Sequence, residues 1–293
     1  MADDPLLVHA RELWVELAGT PVEFCPSGGA KVVVAPRSRL SPPSWTGLVR
    51  IAHAAIVTAP SVLAAGMVDD AAREMSHEEL FDVARLRAVL PVLDVLGPAS
   101  LFYLGRDGFL PAYEGTGVEQ LPIGDGDLAA LLALVGEEEA GESGLEDISS
   151  PAFCLRRGDE VVAAAGYRSW LRSVAHLSVL VAPHCRGRRL ARAVASVAVA
   201  HALDAGLLPQ WRARPYPSQR VAVALGFQEL GTQLSVRLGD APSTGAGKHG
   251  VSAFSAKAMS LENSEPEVLK QHDNSAGQHG GSCQLRCDRT TAV

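Results

Sequence analysis

The spacing of apolar and polar residues predicts alternating helices and strands in the first part of the chain. An opening helix is expected because Leu6, Leu7, Ala10, Leu13, Trp14 and Leu17 fall on one helical face. Short apolar runs at 31–35 and 47–51 predict strands on either side of a Pro-rich break. The motif Ser76-His77-Glu78-Glu79 resembles a capping box and predicts a helix that continues to about Val89. A strand near 100–104 is expected to follow.

A denser set of strands is predicted from residue 117 onwards, and Gly158-Asp159 marks a hairpin turn between two of them. The expected strands are 118–122, 152–157, 161–168, 174–181, 210–213 and 230–238, and the expected helices are 125–135, 187–205 and 218–225. Residues 137–150 form an acidic stretch that fits a loop or a short helix. This order predicts an α/β (α+β) fold, with a mixed, mostly antiparallel sheet flanked by helices.

The composition divides the chain into three regions. Residues 1–116 form an N-terminal α/β region, and residues 117–239 form the domain with the denser strands. Residues 240–293 are rich in Ser, Gly, Gln, Asn and His without apolar periodicity, which predicts a disordered tail. We expect this tail to be dispensable for binding at the site described below.

Charge and cysteine content argue against several classes of function, although a nucleic-acid-binding module built on a local basic turn stays open. The formal net charge of -7 opposes nucleic acid as a partner. The 5 cysteines are irregularly spaced, which indicates a reducing compartment. No apolar run reaches the roughly 18 residues of a membrane span, and the N-terminus lacks the pattern of a signal peptide. We therefore expect a cytoplasmic protein without membrane contacts. The spacing of the His and Cys residues matches no zinc-binding pattern, so we expect no metal site.

The most informative segment joins a buried-type strand to a long helix through a basic turn. Val181-Ala182-Pro183 ends the strand, and the turn that follows carries Arg186, Gly187, Arg188 and Arg189. A helix N-terminus presents unpaired N–H groups and the positive end of the helix dipole, so it suits a phosphate group. Taken alone, the same pattern also fits an ordinary strand–helix unit with a solvated basic cap.

This segment resembles the cofactor-binding region of GNAT-superfamily N-acetyltransferases. The family has V-x-P and then a [QR]-x-x-G-x-[GA] turn, whose first and last positions correspond here to Arg186 and Ala191. The middle glycine is replaced by Arg189. The later strand, helix and Gly226-Phe227 pair follow the family order, so the resemblance covers roughly 118–238 and is strongest after Phe153.

The resemblance implies an acetyl-CoA site built by two neighbouring segments. The strand backbone of Val179, Leu180 and Val181 would pair with pantetheine and polarise the thioester carbonyl. The turn of Arg186, Gly187, Arg188, Arg189, Leu190 and Ala191 would hold the pyrophosphate. Ser218 would contact the cofactor or cap the last helix.

His176 and Tyr216 are the candidates for proton transfer. In the family, the strand that carries His176 lines the acyl-transfer site, so His176 would accept the amine proton and give a pH–rate limb near neutrality. The alternative is a partly buried histidine bonded to a backbone carbonyl. The family's usual tyrosine general acid is replaced by Ala222, and Tyr216 would substitute for it or remain a packing or surface tyrosine.

The resemblance predicts direct acetyl transfer from acetyl-CoA to a primary amine, without a metal. The acceptor stays open between a small molecule, a peptide and a protein lysine, and a homodimer is allowed. The alternative is a catalytically silent GNAT-fold module that binds acyl-CoA as a sensor or scaffold, which the Arg189 and Ala222 departures motivate.

Overall fold

The computed structural model describes residues 4–112, 117–214 and 216–239, all within one compact unit. These residues form seven helices and ten strands. The helices are α1 (Pro5–Ala18), α2 (Val62–Glu74), α3 (Val83–Val89), α4 (Gly126–Ala133), α5 (Glu137–Ser143), α6 (Leu190–Asp204) and α7 (Tyr216–Ala224). The strands are β1 (Gly29–Val34), β2 (Thr46–Ile51), β3 (Ala54–Ala59), β4 (Val92–Tyr103), β5 (Glu119–Leu121), β6 (Ala152–Arg157), β7 (Glu160–Trp170), β8 (Val174–Val181), β9 (Leu208–Ala213) and β10 (Gln228–Leu238).

All ten strands belong to one sheet, in the order β1-β3-β2-β10-β4-β9-β8-β7-β6-β5. Neighbouring strands are antiparallel except for β1 with β3 and β8 with β9. The predicted mixed, mostly antiparallel sheet is therefore confirmed. Strand β4, from the N-terminal region, lies between β9 and β10 and pairs with both. The predicted boundary at residue 116 and the predicted tail at 240–293 lie outside the described residues.

Helices cover both faces of the sheet. Helix α6 buries its apolar side, including Val194 and Ala198, against β6 to β9, and α7 adds Ala222 to the same cluster. On the opposite face, α4 packs Leu128 and Leu131 against β6 to β8. Helix α1 lies on this second face, where its Trp14 indole N–H donates to the Tyr103 hydroxyl oxygen at 2.6 Å. None of the described helices is long and apolar enough to cross a membrane.

The predicted capping box at Ser76 forms, but the helix it begins is short. The Ser76 N–H donates to the Glu79 carboxylate at 2.9 Å, and the Glu79 N–H donates to Ser76 Oγ at 3.2 Å. A 3₁₀ turn follows and ends at Asp82, whose carboxylate accepts the backbone N–H of Ala84 and so begins α3. The predicted continuous helix is therefore wrong, because Asp82 begins a second helix. Strand β3 and helix α2 were not predicted.

The Gly226-Phe227 pair fixes the turn between α7 and β10. Gly226 has φ 92, and a Cβ at this position would lie 1.9 Å from the carbonyl oxygen of Gly108. A side chain is therefore excluded at Gly226 by both conformation and space. Phe227 then packs edge-on against Trp211, with ring centroids 5.7 Å apart. The pair thus holds the residue that precedes β10 against Trp211 of β9.

Candidate active site

Strands β8 and β9 separate in the middle of the sheet. Their parallel pairing covers only Val174–Leu208, Ala175–Pro209 and His176–Gln210. Beyond His176, β8 continues to Val181, paired with β7 on its other side. The backbone edge of β8 that faces the gap can therefore pair with a linear amide chain inserted between the strands.

The three strand residues predicted to bind the cofactor lie on this separated part of β8. Val179 packs in the core under α6, and Leu180 packs in the opposite core under α4. Because side chains alternate along a strand, their packing holds the strand straight while its backbone edge stays along the gap. Val179, Leu180 and Val181 therefore lie on the part of β8 that borders the gap.

The basic turn leads from the end of β8 into α6. A 3₁₀ turn at Pro183–Cys185 buries Cys185, and Gly187 and Arg189 then take left-handed conformations with φ 76 and φ 63. Helix α6 begins at Leu190, three residues later than predicted, and the described residues provide no side-chain cap for its N-terminus. The first N–H groups of α6 have no intrahelical acceptor, so they form a site for an anion.

The arginines of the turn differ in their contacts. Arg186, Arg188 and Arg189 are all exposed, but Arg186 also forms an ion pair with Glu139 of α5. Arg186 also donates its Nε–H to the Val181 carbonyl oxygen at 3.3 Å. This contact ties the turn to α5 and partly neutralises the charge of Arg186. The free charge at the start of α6 therefore comes mainly from Arg188 and Arg189.

Arg189 occupies the position at which the family has its middle glycine. Its left-handed backbone is the conformation that glycine adopts without strain, and an L-residue pays roughly 1–2 kcal/mol for it. Arg189 therefore holds a left-handed backbone at the position where the sequence resemblance places a glycine.

His176 lies at the point where β8 and β9 separate. Its ring stacks on Trp170, with centroids 4.1 Å apart and an interplanar angle of 11°. Its Nδ1 hydrogen-bonds the side-chain oxygen of Gln210, the residue that it pairs with on β9. Since an amide oxygen only accepts, Nδ1 carries the proton and Nε2 is left as an acceptor. The alternative of a bond to a backbone carbonyl is not what the structure shows.

The surroundings of His176 keep its imidazole neutral. Burial, and then the positive charge of Arg212, lower the pKa of His176 to about 3. A group with this pKa does not titrate near neutrality, so this environment does not favour the predicted pH–rate limb of His176 in that range. The neutral ring can still accept a hydrogen bond from an amine N–H through Nε2.

A cavity of about 150 Å³ opens beside His176 on the α5 face of the sheet. Its walls include Ser178 of β8, Glu142 and Ser143 of α5, and Gln233 of β10. The Ser178 hydroxyl donates to the Gly144 carbonyl oxygen at 3.0 Å, which fixes the end of α5 over the sheet. The cavity therefore adjoins the gap between β8 and β9 from the side that faces α5.

Of the other two predicted site residues, Ser218 lines this cavity and Tyr216 does not. Tyr216 begins α7 with 70% of its surface exposed, which favours a surface tyrosine over the predicted general acid. Ser218 lies inside α7 and does not cap it, and its Oγ accepts the Trp211 indole N–H at 3.0 Å. Ala222 is fully buried under α6, so the family's tyrosine has no counterpart at that position.

Sequence reasoning missed the residues that surround His176. Gln210 fixes its tautomer, and Arg212 lines the cavity two residues later on the same face of β9. The sequence signal that could have identified them is a pair of polar residues two positions apart, Gln210 and Arg212, on either side of the apolar Trp211. Among the described residues, no group of three or more His, Cys, Asp or Glu side chains could hold a metal ion.

The gap between the parallel strands β8 and β9, with the basic N-terminus of α6 beside it, can accept a linear amide chain that carries a phosphate group. The family model of the GNAT acetyltransferases matches residues 150–232, which run from β6 into β10. This part of the chain is therefore similar to the GNAT acetyltransferases.

Several solved structures are also similar to this chain. An acetyltransferase of the GNAT family from Colwellia psychrerythraea is 15% identical, with a TM-score of 0.39, over 51% of this chain and 59% of that one. A GCN5-related N-acetyltransferase from Kribbella flavida is 17% identical, with a TM-score of 0.41, over 52% of this chain and 62% of that one. The chain thus spans less than two thirds of either relative.

A tandem GNAT protein from the clavulanic acid biosynthesis pathway is 12% identical, with a TM-score of 0.38. The similarity covers 80% of this chain and 95% of that protein. No curated protein matches the chain.

Proposed function

We propose that this protein is an N-acetyltransferase that transfers the acetyl group of acetyl-CoA directly to a primary amine. The observation that carries the proposal is the separation of β8 from β9 after His176, next to the uncapped basic start of α6. A bond forms between the amine nitrogen and the acetyl carbon, the bond from that carbon to sulfur breaks, and the amine loses one proton. Acetyl-CoA supplies the activated acetyl group as a thioester.

The described residues fit acetyl-CoA at both ends of the gap. The β8 edge from Val179 to Val181 would pair with the pantetheine amides. The N–H groups at the start of α6, together with Arg188 and Arg189, would bind the pyrophosphate. The main contribution of these groups is to hold the two reactants close together.

His176 would orient the amine, and it would not store the proton. A neutral Nε2 accepts an amine N–H and directs the nitrogen lone pair, whereas a pKa of about 3 disfavours protonation of the ring near pH 7. The amine proton would therefore leave to water. The exposed Tyr216 adds no general acid, so the departing CoA thiolate would also take its proton from water.

The test is amine-dependent turnover of acetyl-CoA by the purified chain. Release of the CoA thiol is followed with a panel of amines, and the products are identified by mass. The proposal expects thiol release that requires an amine and yields one acetylated product per thiol. If acetyl-CoA binds but no amine in a broad panel is acetylated, the protein is a binding module and the enzymatic proposal fails.

A further inference from the structure

We propose that Trp14 and Tyr103 are positioning residues, which hold the His176 ring in the tautomer and plane that the proposed reaction uses. The inference rests on the proposed function and deepens it, because it gives the N-terminal region a role in the reaction. Its basis is a closed ring of five side chains, each in contact with the next. They are Trp14 of α1, Tyr103 of β4, Gln210 of β9, His176 of β8 and Trp170 of β7.

Three members of this ring form a row across the sheet. Gln210 pairs with Tyr103 of β4 on one side and with His176 of β8 on the other. Residues that pair directly on neighbouring strands point to the same face of a sheet, so their side chains lie beside one another. The row therefore places Tyr103 two strand spacings, roughly 10 Å, from the residue at which β8 and β9 separate.

The Tyr103 hydroxyl joins this row to α1. Tyr103 is fully buried, and its hydroxyl oxygen accepts the Trp14 indole N–H at 2.6 Å. Burial raises the pKa of Tyr103, while the Trp14 N–H and the Gln210 amide oppose that rise. A hydrogen bond lowers the pKa of a phenol when the phenol oxygen accepts it, so the Gln210 amide directs its N–H groups toward Tyr103.

Tyr103 thereby decides which way the Gln210 amide faces. With its nitrogen toward Tyr103, the amide presents its oxygen to Nδ1 of His176. Among the described residues, Gln210 Nε2 has no partner at full hydrogen-bond geometry, so its contact with the Tyr103 oxygen is a weak one. Loss of the hydroxyl would let the amide turn over. A reversed amide donates to Nδ1, which moves the ring proton to Nε2, where the proposed reaction needs an acceptor.

Trp14 also reaches His176 by a second route, through Trp170. The rings of Trp14 and Trp170 meet in a T-shaped arrangement, with centroids 6.4 Å apart. Trp170 in turn stacks on the imidazole at 4.1 Å and fixes its plane. Trp14 therefore supports both neighbours of the imidazole, Gln210 through the Tyr103 hydroxyl and Trp170 by direct contact.

The first measurement determines the tautomer of His176. Long-range ¹H–¹⁵N correlation spectra of the full chain, labelled at histidine, distinguish a proton on Nδ1 from a proton on Nε2. The His176 signals are those that disappear in His176→Gln. Wild type at neutral pH is expected to show the Nδ1–H tautomer alone, and Tyr103→Phe should show both tautomers. Because no turnover is needed, this result does not depend on whether the protein acetylates an amine.

The second measurement is amine-dependent turnover of acetyl-CoA. Tyr103→Phe and Trp14→Phe should each lower kcat by about 3- to 30-fold, because the amine is oriented less well, and should leave the Kd of acetyl-CoA unchanged. In a His176→Gln background, Tyr103→Phe should lower kcat no further, because a positioning residue acts through the ring that it positions. A contribution to the fold alone would change kcat by the same factor in both backgrounds.

Two further variants keep the result interpretable. Tyr167→Phe removes another tyrosine hydroxyl that is hydrogen-bonded to a histidine, here His201 Nδ1 at 2.9 Å, and should change neither the His176 tautomer nor kcat. Tyr103→Phe leaves the buried Trp14 N–H without its acceptor, whereas the double variant Trp14→Phe/Tyr103→Phe removes both partners of that bond. The double variant should show the same two tautomers, and it replaces the single variant if thermal unfolding shows that the latter does not fold.

The inference is overturned if His176 carries its proton on Nε2 in wild type, or if the Nδ1–H tautomer persists alone in Tyr103→Phe and in the double variant. It is also overturned if Tyr103→Phe lowers kcat by the same factor with and without His176. A change of tautomer in a protein that acetylates no amine supports the positioning of His176 by Trp14 and Tyr103 and contradicts the proposed function.

Discussion

His176 shows how one buried hydrogen bond decides the chemistry of a residue. The bond from Nδ1 to Gln210 fixes the tautomer, and the stacking on Trp170 fixes the plane of the ring. Burial and the charge of Arg212 then keep the ring neutral. The role of His176 is therefore set by Trp170 of β7 and by Gln210 and Arg212 of β9.

The neutral His176 makes the stability of the fold depend on pH. Its pKa falls from 6.5 to about 3 on folding, so between these values the unfolded chain binds a proton that the folded chain does not. The free energy of unfolding should therefore decrease as the pH falls from 6.5 to 3, by up to about 1.4 kcal/mol per pH unit. Urea unfolding of wild type and His176→Gln at several pH values measures this. The variant should show a shallower loss, and identical pH dependence would contradict the assignment.

The same environment predicts a limited kinetic role for His176. A general base usually contributes about 10²–10⁴-fold, but a neutral ring that only orients the amine contributes less. His176→Gln should therefore lower turnover by less than about 10²-fold and leave the neutral part of the pH–rate profile unchanged in shape. Steady-state rates from pH 5 to 9 provide the test, and the loss of a limb near pH 7 would restore the general-base role.

At the scale of elements, the turn before α6 has an arginine in a backbone conformation that favours glycine. Arg189 holds φ 63, where glycine is unstrained. We expect Arg189→Gly to stabilise the fold by about 0.5–1 kcal/mol, because relief of strain exceeds the entropy cost of glycine. Arg189→Ala keeps the strain and removes the same charge. Chemical unfolding of both variants measures the difference, and equal stability would show that the turn is not strained.

The same pair of variants separates charge from backbone approach in cofactor binding. Both lose the Arg189 charge, but only glycine lets the backbone come closer to the phosphates. We predict that Arg189→Gly binds acetyl-CoA more tightly than Arg189→Ala. The opposite order in a calorimetric titration would show that backbone approach is not limiting at this turn.

The elements of the basic turn before α6 were predictable because their signals are local. Pro183 ends a strand, Gly187 permits a left-handed turn, and the arginines follow within a few residues. Arg212 was not predictable, because its position in the cavity depends on the register of β9 with β8 and on the separation of the two strands. The break at Asp82 was also missed, since a capping box signals where a helix begins and carries no information on where it ends.

At the scale of the molecule, the sheet continues through both predicted regions. Strand β4 of the N-terminal region lies between β9 and β10, which the chain order alone does not reveal. The position of β4 between β9 and β10 depends on contacts between residues far apart in sequence. Local patterns therefore predict the strands but not which strands are neighbours. The predicted order of helices and strands therefore indicated the fold class but did not predict this strand order.

The N-terminal region repeats part of the site without its gap. The hairpin of β2 and β3 leads through Pro60 into α2, as β7 and β8 lead through Pro183 into α6. However, β1 pairs with β3 over its whole length, from Gly29–Ala54 to Val34–Ala59. The start of α2 is also capped, because Ser61 Oγ accepts the Ala64 N–H at 3.2 Å. We propose that this region is a degenerate GNAT-like half that binds no acetyl-CoA.

This difference predicts one acetyl-CoA per chain. The continuous pairing of β1 with β3 leaves no gap between these two strands for pantetheine, and no arginine or lysine lies between Thr58 and Asp69. Native mass spectrometry of the protein with excess acetyl-CoA should show a single bound molecule per chain. A second specific molecule, retained when Arg186 is changed to Glu, would place a site in the N-terminal region.

The measurement that tests the central claim most directly is a calorimetric titration with acetyl-CoA. Wild type is compared with Arg186→Glu, in which a negative charge enters the turn before α6. Glu139→Gln serves as the matched control, because it removes the ion-pair partner of Arg186 and leaves the arginine in place. Arg87→Glu controls for charge reversal at an exposed site on α3.

The account predicts saturable binding by wild type and a Kd at least tenfold higher for Arg186→Glu, with Arg87→Glu unchanged. Glu139→Gln should bind at least as tightly as wild type, because the arginine charge becomes fully available to phosphate. A folded wild type that does not bind acetyl-CoA, or an Arg186→Glu variant with unchanged Kd, would contradict the assignment of the gap between β8 and β9 as the acetyl-CoA site.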